Sequence, residues 1–299
     1  MIDARAGRIA DLVARAGRGE EIGADEMLPT RYTLDGGDGD DPWWNFQLDG
    51  YGTWLWVLMA HRARHGRALD AYRPAIESTV DYLVAFGDRP CYDWWEEHAE
   101  HRHVATLGAV LAGLRAVVHA RDEHGEALLD AARGAAAGAK VDELEALVAT
   151  EGVADGHLTK WLGATAVDGS LLACLTPFDV VDARGAVAER TYEQVRDQLL
   201  RGGVHRYLGD TFYGGGEWLI LTAWLGWHEA RTERTEAALG RLDWIAAQAT
   251  PEGYLPEQVS GNTQRPEHIA EWTDRWGPVA TPLLWSHAMF VTLALEVGL

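Results

Sequence analysis

Ten segments of this 299-residue chain repeat their apolar residues at intervals of three and four, the period of a helix that buries one face. They are 2–18, 48–65, 70–87, 101–120, 124–149, 167–175, 189–201, 216–232, 234–249 and 280–297. In 101–120 the stripe runs through Val104, Leu107, Leu111, Leu114 and Val118, with Val110 and Val117 widening it. Strand-like alternation is scarce and short. The helices come in antiparallel-sized pairs without a sequence repeat, which predicts an all-α fold. No apolar run approaches a transmembrane length. The N-terminal "MIDARAGRIADLVARAG" carries charges throughout and lacks the apolar centre of a signal peptide.

The connecting stretches are unusual. "TLDGGDGDDPWW" (33–44), "GDTFYGGGEW" (209–218) and "YLPEQVSGNTQRPEHIAEWTDRWGPVATP" (254–282) are rich in Gly, Asp, Glu and Trp. Long loops without structure of their own tend to carry function. Five of the chain's fourteen tryptophans lie in these three stretches, too many for solvated linkers, so the pattern predicts a helical scaffold whose loops build an aromatic, acidic pocket at one end. A net charge of −20 argues against nucleic acid or an anionic membrane as the main partner, because both call for a basic surface. Cys91 and Cys174 stand far apart, which is neither a disulfide framework nor a zinc spacing and suits a reducing cytoplasm.

The densest chemistry lies in "CYDWWEEHAEHRHVATLGAVLAGLRA" (91–116). Glycoside hydrolysis uses two carboxyl groups flanking the scissile bond, and the C–H faces of sugar rings stack on aromatic side chains. Trp94 and Trp95 beside Glu96 and Glu97 supply both needs. Asp93 and Glu96, spaced D-x-x-E, also read as a capping box for the helix that follows. A cap leaves Trp94, Trp95 and Glu97 unexplained. His98 and His101 at i, i+3, with Glu97 nearby, could hold a metal, but no second cluster converges on them and a solvated histidine is commoner. The glycines of "YGGGEW" (213–218) could bind a phosphate at a helix N-terminus. Without a Walker-type Lys, close approach of backbone to a ligand or tight packing is the stronger reading. Glu257 in "LPEQV" is, taken alone, a loop charge.

Together these blocks resemble glycoside hydrolase family 15, the glucoamylase and isomaltose glucohydrolase family. "CYDWWEEHAEHRHVATLGAVLAGLRA" is similar to its general-acid segment, and "DPWWNFQLDGYGTWLWVL" (41–58) to its tryptophan loop and Q-x-D-G helix. "HRYLGDTFYGGGEWLILTAWLGWHEA" (205–230) is similar to its R-Y-x-x-D-x-(F/Y)-Y-x-G-x-x-W segment. "YLPEQV" and the following "WGPVATPLLWSHAMF" are similar to its base loop and the next helix. The resemblance implies an (α/α)6 barrel of twelve helices and no cofactor. Glu96 would be the general acid and Glu257 the general base that activates water. Asp93 would tune the acid, and Glu97 would bind sugar near the leaving group. Arg206, followed by Tyr207, would hold glucose hydroxyls with support from Asp210. Trp43 would be the aromatic platform, with Trp95 and Trp218 as further walls. A carboxyl beside Trp95 and Asp93 is desolvated and next to a like charge, which raises its pKa as an acid requires. The family inverts configuration, which implies an acid and a base about 6.5–9.5 Å apart. Within the family, "LPTRYTLDGGDGDDPWWNFQLDGYGTWLW" looks most like the bacterial isomaltose glucohydrolases, which release glucose from the non-reducing end of isomaltose. Glucoamylase-type α-1,4 activity, α,α-trehalase activity and a non-hydrolytic carbohydrate-binding barrel are the alternatives.

One feature of the family pattern is missing. Its members carry a W-x-R-D segment before the tryptophan loop, whose Arg and Asp grip the glucose being released. Here R-D occurs only at Arg121-Asp122 and Arg196-Asp197, in other blocks and without the tryptophan. With ten helical segments instead of twelve, the expectation is one catalytic domain over 1–299 that is truncated at its N-terminus. Leu283, Leu284, Phe290 and Leu293 in the last helix would then lose cover, and the exposed seam would favour self-association.

Overall fold

The computed structural model describes residues 1–39, 46–122 and 124–299. The chain packs as two compact units, one of residues 1–152 with 161–163 and the other of residues 153–160 with 164–299. Eleven α-helices lie among the described residues.

The first unit contains α1 (Ala6–Gly17), α2 (Asp49–His65), α3 (Arg73–Phe86), α4 (Val104–Val118) and α5 (Ala131–Glu151). The stripe expected on α4 understates its burial, since every residue from Val104 to Leu114 is buried. A helix that is apolar all round belongs in a core. It meets α2 at two glycines. A methyl group on Gly52 would come within 2.4 Å of the Ala109 carbonyl oxygen, and one on Gly113 within 2.3 Å of the Gly52 carbonyl oxygen. The obstacles are backbone atoms of two packed helices, so no side-chain rotation relieves the clash. Gly113→Ala is therefore expected to lower stability by about 1–3 kcal/mol or more, read as a fall in thermal midpoint. An unchanged midpoint would contradict the close crossing. α2 begins at Asp49, three residues before this crossing, and Gln47 lies just ahead of it. The helix expected over 124–149 begins later, at Ala131. Asp130 caps it by accepting the N–H of Arg133 at 2.8 Å, while Asp122 closes a turn by accepting the N–H groups of His124 and Glu126.

The second unit contains α6 (Leu171–Leu175), α7 (Ala186–Leu199), α8 (Leu219–Arg231), α9 (Thr235–Ala246), α10 (Ile269–Trp276) and α11 (Leu284–Glu296). The largely buried α8 packs against α6, α9 and α11. Two short antiparallel ladders join the loops. β1 (Val153–Ala154) pairs with β2 (His157–Leu158), and β3 (Glu217–Trp218) pairs with β4 (Gln258–Val259) in the register Trp218 opposite Gln258. The stretch 254–282, expected to be a loop, contains α10. Its apolar residues Ile269, Trp272 and Trp276 fall on one helical face, and Trp272 meets the ring of Phe212 edge-on at 4.8 Å. On α11, Ser286, Met289 and Leu293 are buried, and Leu293 packs on Gly226. Leu293 thus keeps the cover it was expected to lose, whereas Leu284, Val291 and Leu295 are exposed. No helix of the described residues is long and apolar enough to cross a membrane.

Candidate active site

In the first unit the W-E-E stretch is a closed turn. The helix after it begins at Val104 with His103 in the cap position, so Asp93 and Glu96 do not form the capping box that their spacing allowed. Instead the buried Asp93 carboxylate accepts the N–H groups of Trp95 and Glu97, both at 2.9 Å. The Glu96 N–H donates to the Asp93 carbonyl at 3.0 Å, and the Asp93 N–H donates to the Glu97 carbonyl at 3.0 Å. Five residues are thereby locked into one loop. Glu96 sits at φ 62° and His98 at φ 56°. Left-handed backbone in a non-glycine residue costs roughly 1–2 kcal/mol, and such strain clusters at functional positions.

The segment before α2 holds this turn from behind. Gln47 Nε2 donates to the Asp93 carbonyl at 2.5 Å, and the Tyr92 N–H donates to the Phe46 carbonyl at 3.1 Å. Asp49 Oδ1 is buried without a hydrogen-bond partner among the described residues, and burial raises its carboxyl to about 6. The Cys91 thiol is pushed up by burial and by the charges of Asp49 and Asp93. The neighbouring histidines have packing roles. His101 stacks on Trp161 with ring centroids 4.1 Å apart and planes 6° apart, and His103 Nε2 lies 2.9 Å from the His98 carbonyl. Trp43, expected to be the platform, lies outside the described residues.

In the second unit Arg206 and Asp210 form a buried bidentate pair. Arg206 Nε donates to Asp210 Oδ2 at 2.8 Å and Nη2 donates to Oδ1. Asp210 Oδ1 also accepts the N–H of Phe212 at 2.9 Å. Three rings surround the guanidinium, with its carbon 4.9 Å from the Phe212 centroid, 5.4 Å from Trp218 and 5.5 Å from Tyr207. A planar cation fixed this way presents donors in a rigid fork, a suitable arrangement for recognising hydroxyl groups.

The glycine run behind this pair is packing, not a phosphate cradle. Tyr213, Gly214 and Gly215 have φ of 48°, 81° and 65°. A methyl group on Gly215 would come within 2.3 Å of the Asp210 carbonyl oxygen. The run leads into β3, where Glu217 Oε1 accepts the N–H groups of Gly202 and Gly203 and the amide of Asn262. The β3–β4 ladder and the bond from Gly216 N–H to Gln258 Oε1, 2.9 Å long, bring the base loop onto this platform.

Glu257 precedes β4. Its N–H donates to the Ala280 carbonyl at 3.0 Å. Burial raises its carboxyl to about 7, the Arg206 charge opposes that rise, and the Asp210 charge adds to it. The Tyr213 phenol is raised by burial and by the Glu257 charge, and its hydroxyl donates to the Gly277 carbonyl at 2.9 Å. Phe212 and Tyr213 were not singled out from sequence, although both stand inside the R-Y-x-x-D block that names Arg206. The structure thus groups Asp93, Trp95, Glu96 and Glu97 in one turn of the first unit. In the second unit it groups Arg206, Tyr207, Asp210, Trp218 and Glu257.

Comparison with known proteins gives these residues a context. Residues 30–242 match the model of glycosyl hydrolases family 15. The chain is 53% identical over 296 residues to an isomaltose glucohydrolase of Kribbella flavida, covering 99% of this chain and 76% of that protein. A solved glycosidase variant in complex with glucose superposes with a TM-score of 0.94 at 53% identity, over 99% of this chain and 78% of that one. A bacterial glucoamylase complexed with acarbose shares the fold, with a TM-score of 0.73 at 19% identity over 99% of this chain and 45% of its own. The fold class is accordingly all-α, of the (α/α)6 type. On the family match over residues 30–242 and the 53% identity across nearly the whole chain, the chain belongs to glycosyl hydrolases family 15 and is a glycoside hydrolase.

Proposed function

We propose that this chain is an exo-acting α-glucosidase that releases glucose from non-reducing ends, acting on isomaltose and related α-1,6-linked gluco-oligosaccharides by inversion. The observation that supports this most directly is the 53% identity to an isomaltose glucohydrolase over nearly the whole chain. Glu96 donates the proton to the departing glycosidic oxygen, and Glu257 takes a proton from the attacking water. Asp93 holds the turn that carries Glu96. Arg206, braced by Asp210, grips glucose hydroxyls, and Tyr207 and Trp218 wall the pocket. Glu97 contacts sugar near the leaving group, with Trp43 and Trp95 as aromatic surfaces. Two buried thiols, Cys91 and Cys174, fit a cytoplasmic setting.

The test is glucose release by the purified protein from isomaltose, maltose and trehalose, with the product anomer followed by NMR. The expected result is β-glucose as first product and a kcat/KM for isomaltose at least about tenfold above the other two, equivalent to about 1.4 kcal/mol of transition-state discrimination. Preference for maltose or trehalose would overturn the linkage assignment. Release of α-glucose would overturn inversion. Calorimetric binding of isomaltose without turnover would replace hydrolysis by carbohydrate binding.

A further inference from the structure

Below Tyr207 lies a second ion pair that the proposed reaction does not use. Lys160 and Asp168 are both buried, with Nζ 3.1 Å from Oδ2. The Lys160 ammonium sits 3.3 Å from the centroid of the Tyr207 ring. Asp168 Oδ1 in turn accepts the N–H of Ser170 at 2.9 Å and its hydroxyl at 2.7 Å. The adjacent Gly169 N–H donates to the Arg206 carbonyl at 2.6 Å. A methyl group on Gly169 would come within 2.9 Å of the His205 carbonyl oxygen, so this backbone approach is close. Tyr207 therefore faces two paired cations, and the nearer is Lys160 with Asp168. The guanidinium of a second pair, Arg206 with Asp210, is centred 5.5 Å away.

We propose that Lys160 is a positioning residue that, with Asp168, sets the Arg206–Tyr207 segment in its glucose-gripping conformation. The physical reason is rigidity at two points. The ammonium–ring contact fixes the Tyr207 side chain, and the Asp168–Gly169 turn fixes the Arg206 backbone. Without both, Arg206 would still pair with Asp210, but its fork would no longer be held in one orientation toward a sugar. A grip already held in its binding orientation loses less conformational freedom when the sugar arrives, so loosening it weakens affinity.

The inference rests on the reading of Arg206 as the glucose grip, and the experiment separates the two. Three variants are compared with the parent by calorimetric glucose binding and by isomaltose kinetics: Arg206→Lys, the pair Lys160→Met with Asp168→Asn, and Lys160→Arg alone. The paired change removes both buried charges together and so leaves neither orphaned. Lys160→Arg retains the ion pair while replacing the compact ammonium with a longer, planar group, which provides a second folded variant. Circular dichroism and thermal midpoints identify the folded ones. The expected result is that Arg206→Lys and both Lys160 variants raise the glucose Kd and the isomaltose KM by about tenfold. Both Lys160 variants should keep kcat within about threefold, the signature of lost binding shared by ground and transition states. If Arg206→Lys weakens glucose but the folded Lys160 variants bind it as the parent does, the positioning role is wrong. An equal loss in kcat would also overturn it, in favour of a general loosening of the unit. If Arg206→Lys leaves glucose binding intact, the grip reading itself falls.

Discussion

Glu96→Gln is expected to reduce kcat for isomaltose by about 10²–10⁴-fold, the usual worth of a positioned general acid, with the fold unchanged. Glutamine keeps the shape of the side chain and the backbone strain at φ 62°, so the turn 93–97 should persist. The Asp93 carboxylate still receives the N–H groups of Trp95 and Glu97, because those bonds involve backbone donors that the substitution does not touch. What disappears is the proton. A substrate whose leaving group departs without protonation, such as α-glucosyl fluoride, should therefore be hydrolysed by the variant within about tenfold of the parent rate, because the acid-catalysis factor is not drawn upon. Glu97→Gln, one residue on, should affect KM more than kcat. A folded Glu96→Gln protein that keeps more than a tenth of its isomaltose activity would remove Glu96 from the role. Full loss on the fluoride as well would point to a structural collapse of the turn.

The spacing of residues around Glu96 suggests a role for it but not its backbone geometry. D-x-x-E is compatible with a helix cap and with a closed turn, because both satisfy backbone N–H groups with an aspartate oxygen. What decides between them is where the next helix starts. His103, in extended conformation seven residues after Glu96, caps α4, and no local rule marks that position. The left-handed backbone at Glu96 is likewise invisible in sequence, since glutamate has no preference for it. Helix spans were legible because periodicity is a local property. The close crossing at Gly52 and Gly113 was not, because it depends on which helices meet. Motif blocks single out Arg206, Asp210 and Glu257 as candidates, while Lys160 and Asp168 lie outside those blocks and acquire a relation to Tyr207 only in the folded unit. On α11, Leu284 is exposed while Leu293 is covered by its neighbour α8, a pairing that the sequence alone did not specify.

For Glu257 the expected result is an acidic limb in kcat/KM near pH 7. A general base must be ionised to accept the proton of water, and burial raises this carboxyl from an ordinary 4.5 to about 7. Below that pH the protonated fraction grows and kcat/KM should fall about tenfold per pH unit. Glu257→Gln should abolish the limb together with the activity, on isomaltose and on α-glucosyl fluoride alike, since the fluoride still needs an activated water. The charges around Glu257 set the direction of further shifts. Arg206 lowers its pKa and Asp210 raises it, so the residual activity of Arg206→Lys should keep the limb near its original pH, because the charge is conserved. Asp210→Asn should move it downward. Stability should run the other way. The folded pKa is raised above the unfolded value, so the stabilising contribution is complete below about pH 4.5 and is lost as pH rises through about 7. At pH values above 7, where this carboxyl is ionised, its half-buried charge works against the fold by up to about 3 kcal/mol. Glu257→Gln should consequently be more stable than the parent in alkaline buffer and nearly equal to it at pH 4.5, measured by denaturant titration at both pH values. A variant equally stable to the parent throughout, or a kcat/KM profile flat from pH 5 to 8, would show that this carboxyl is neither desolvated nor the group that activates water.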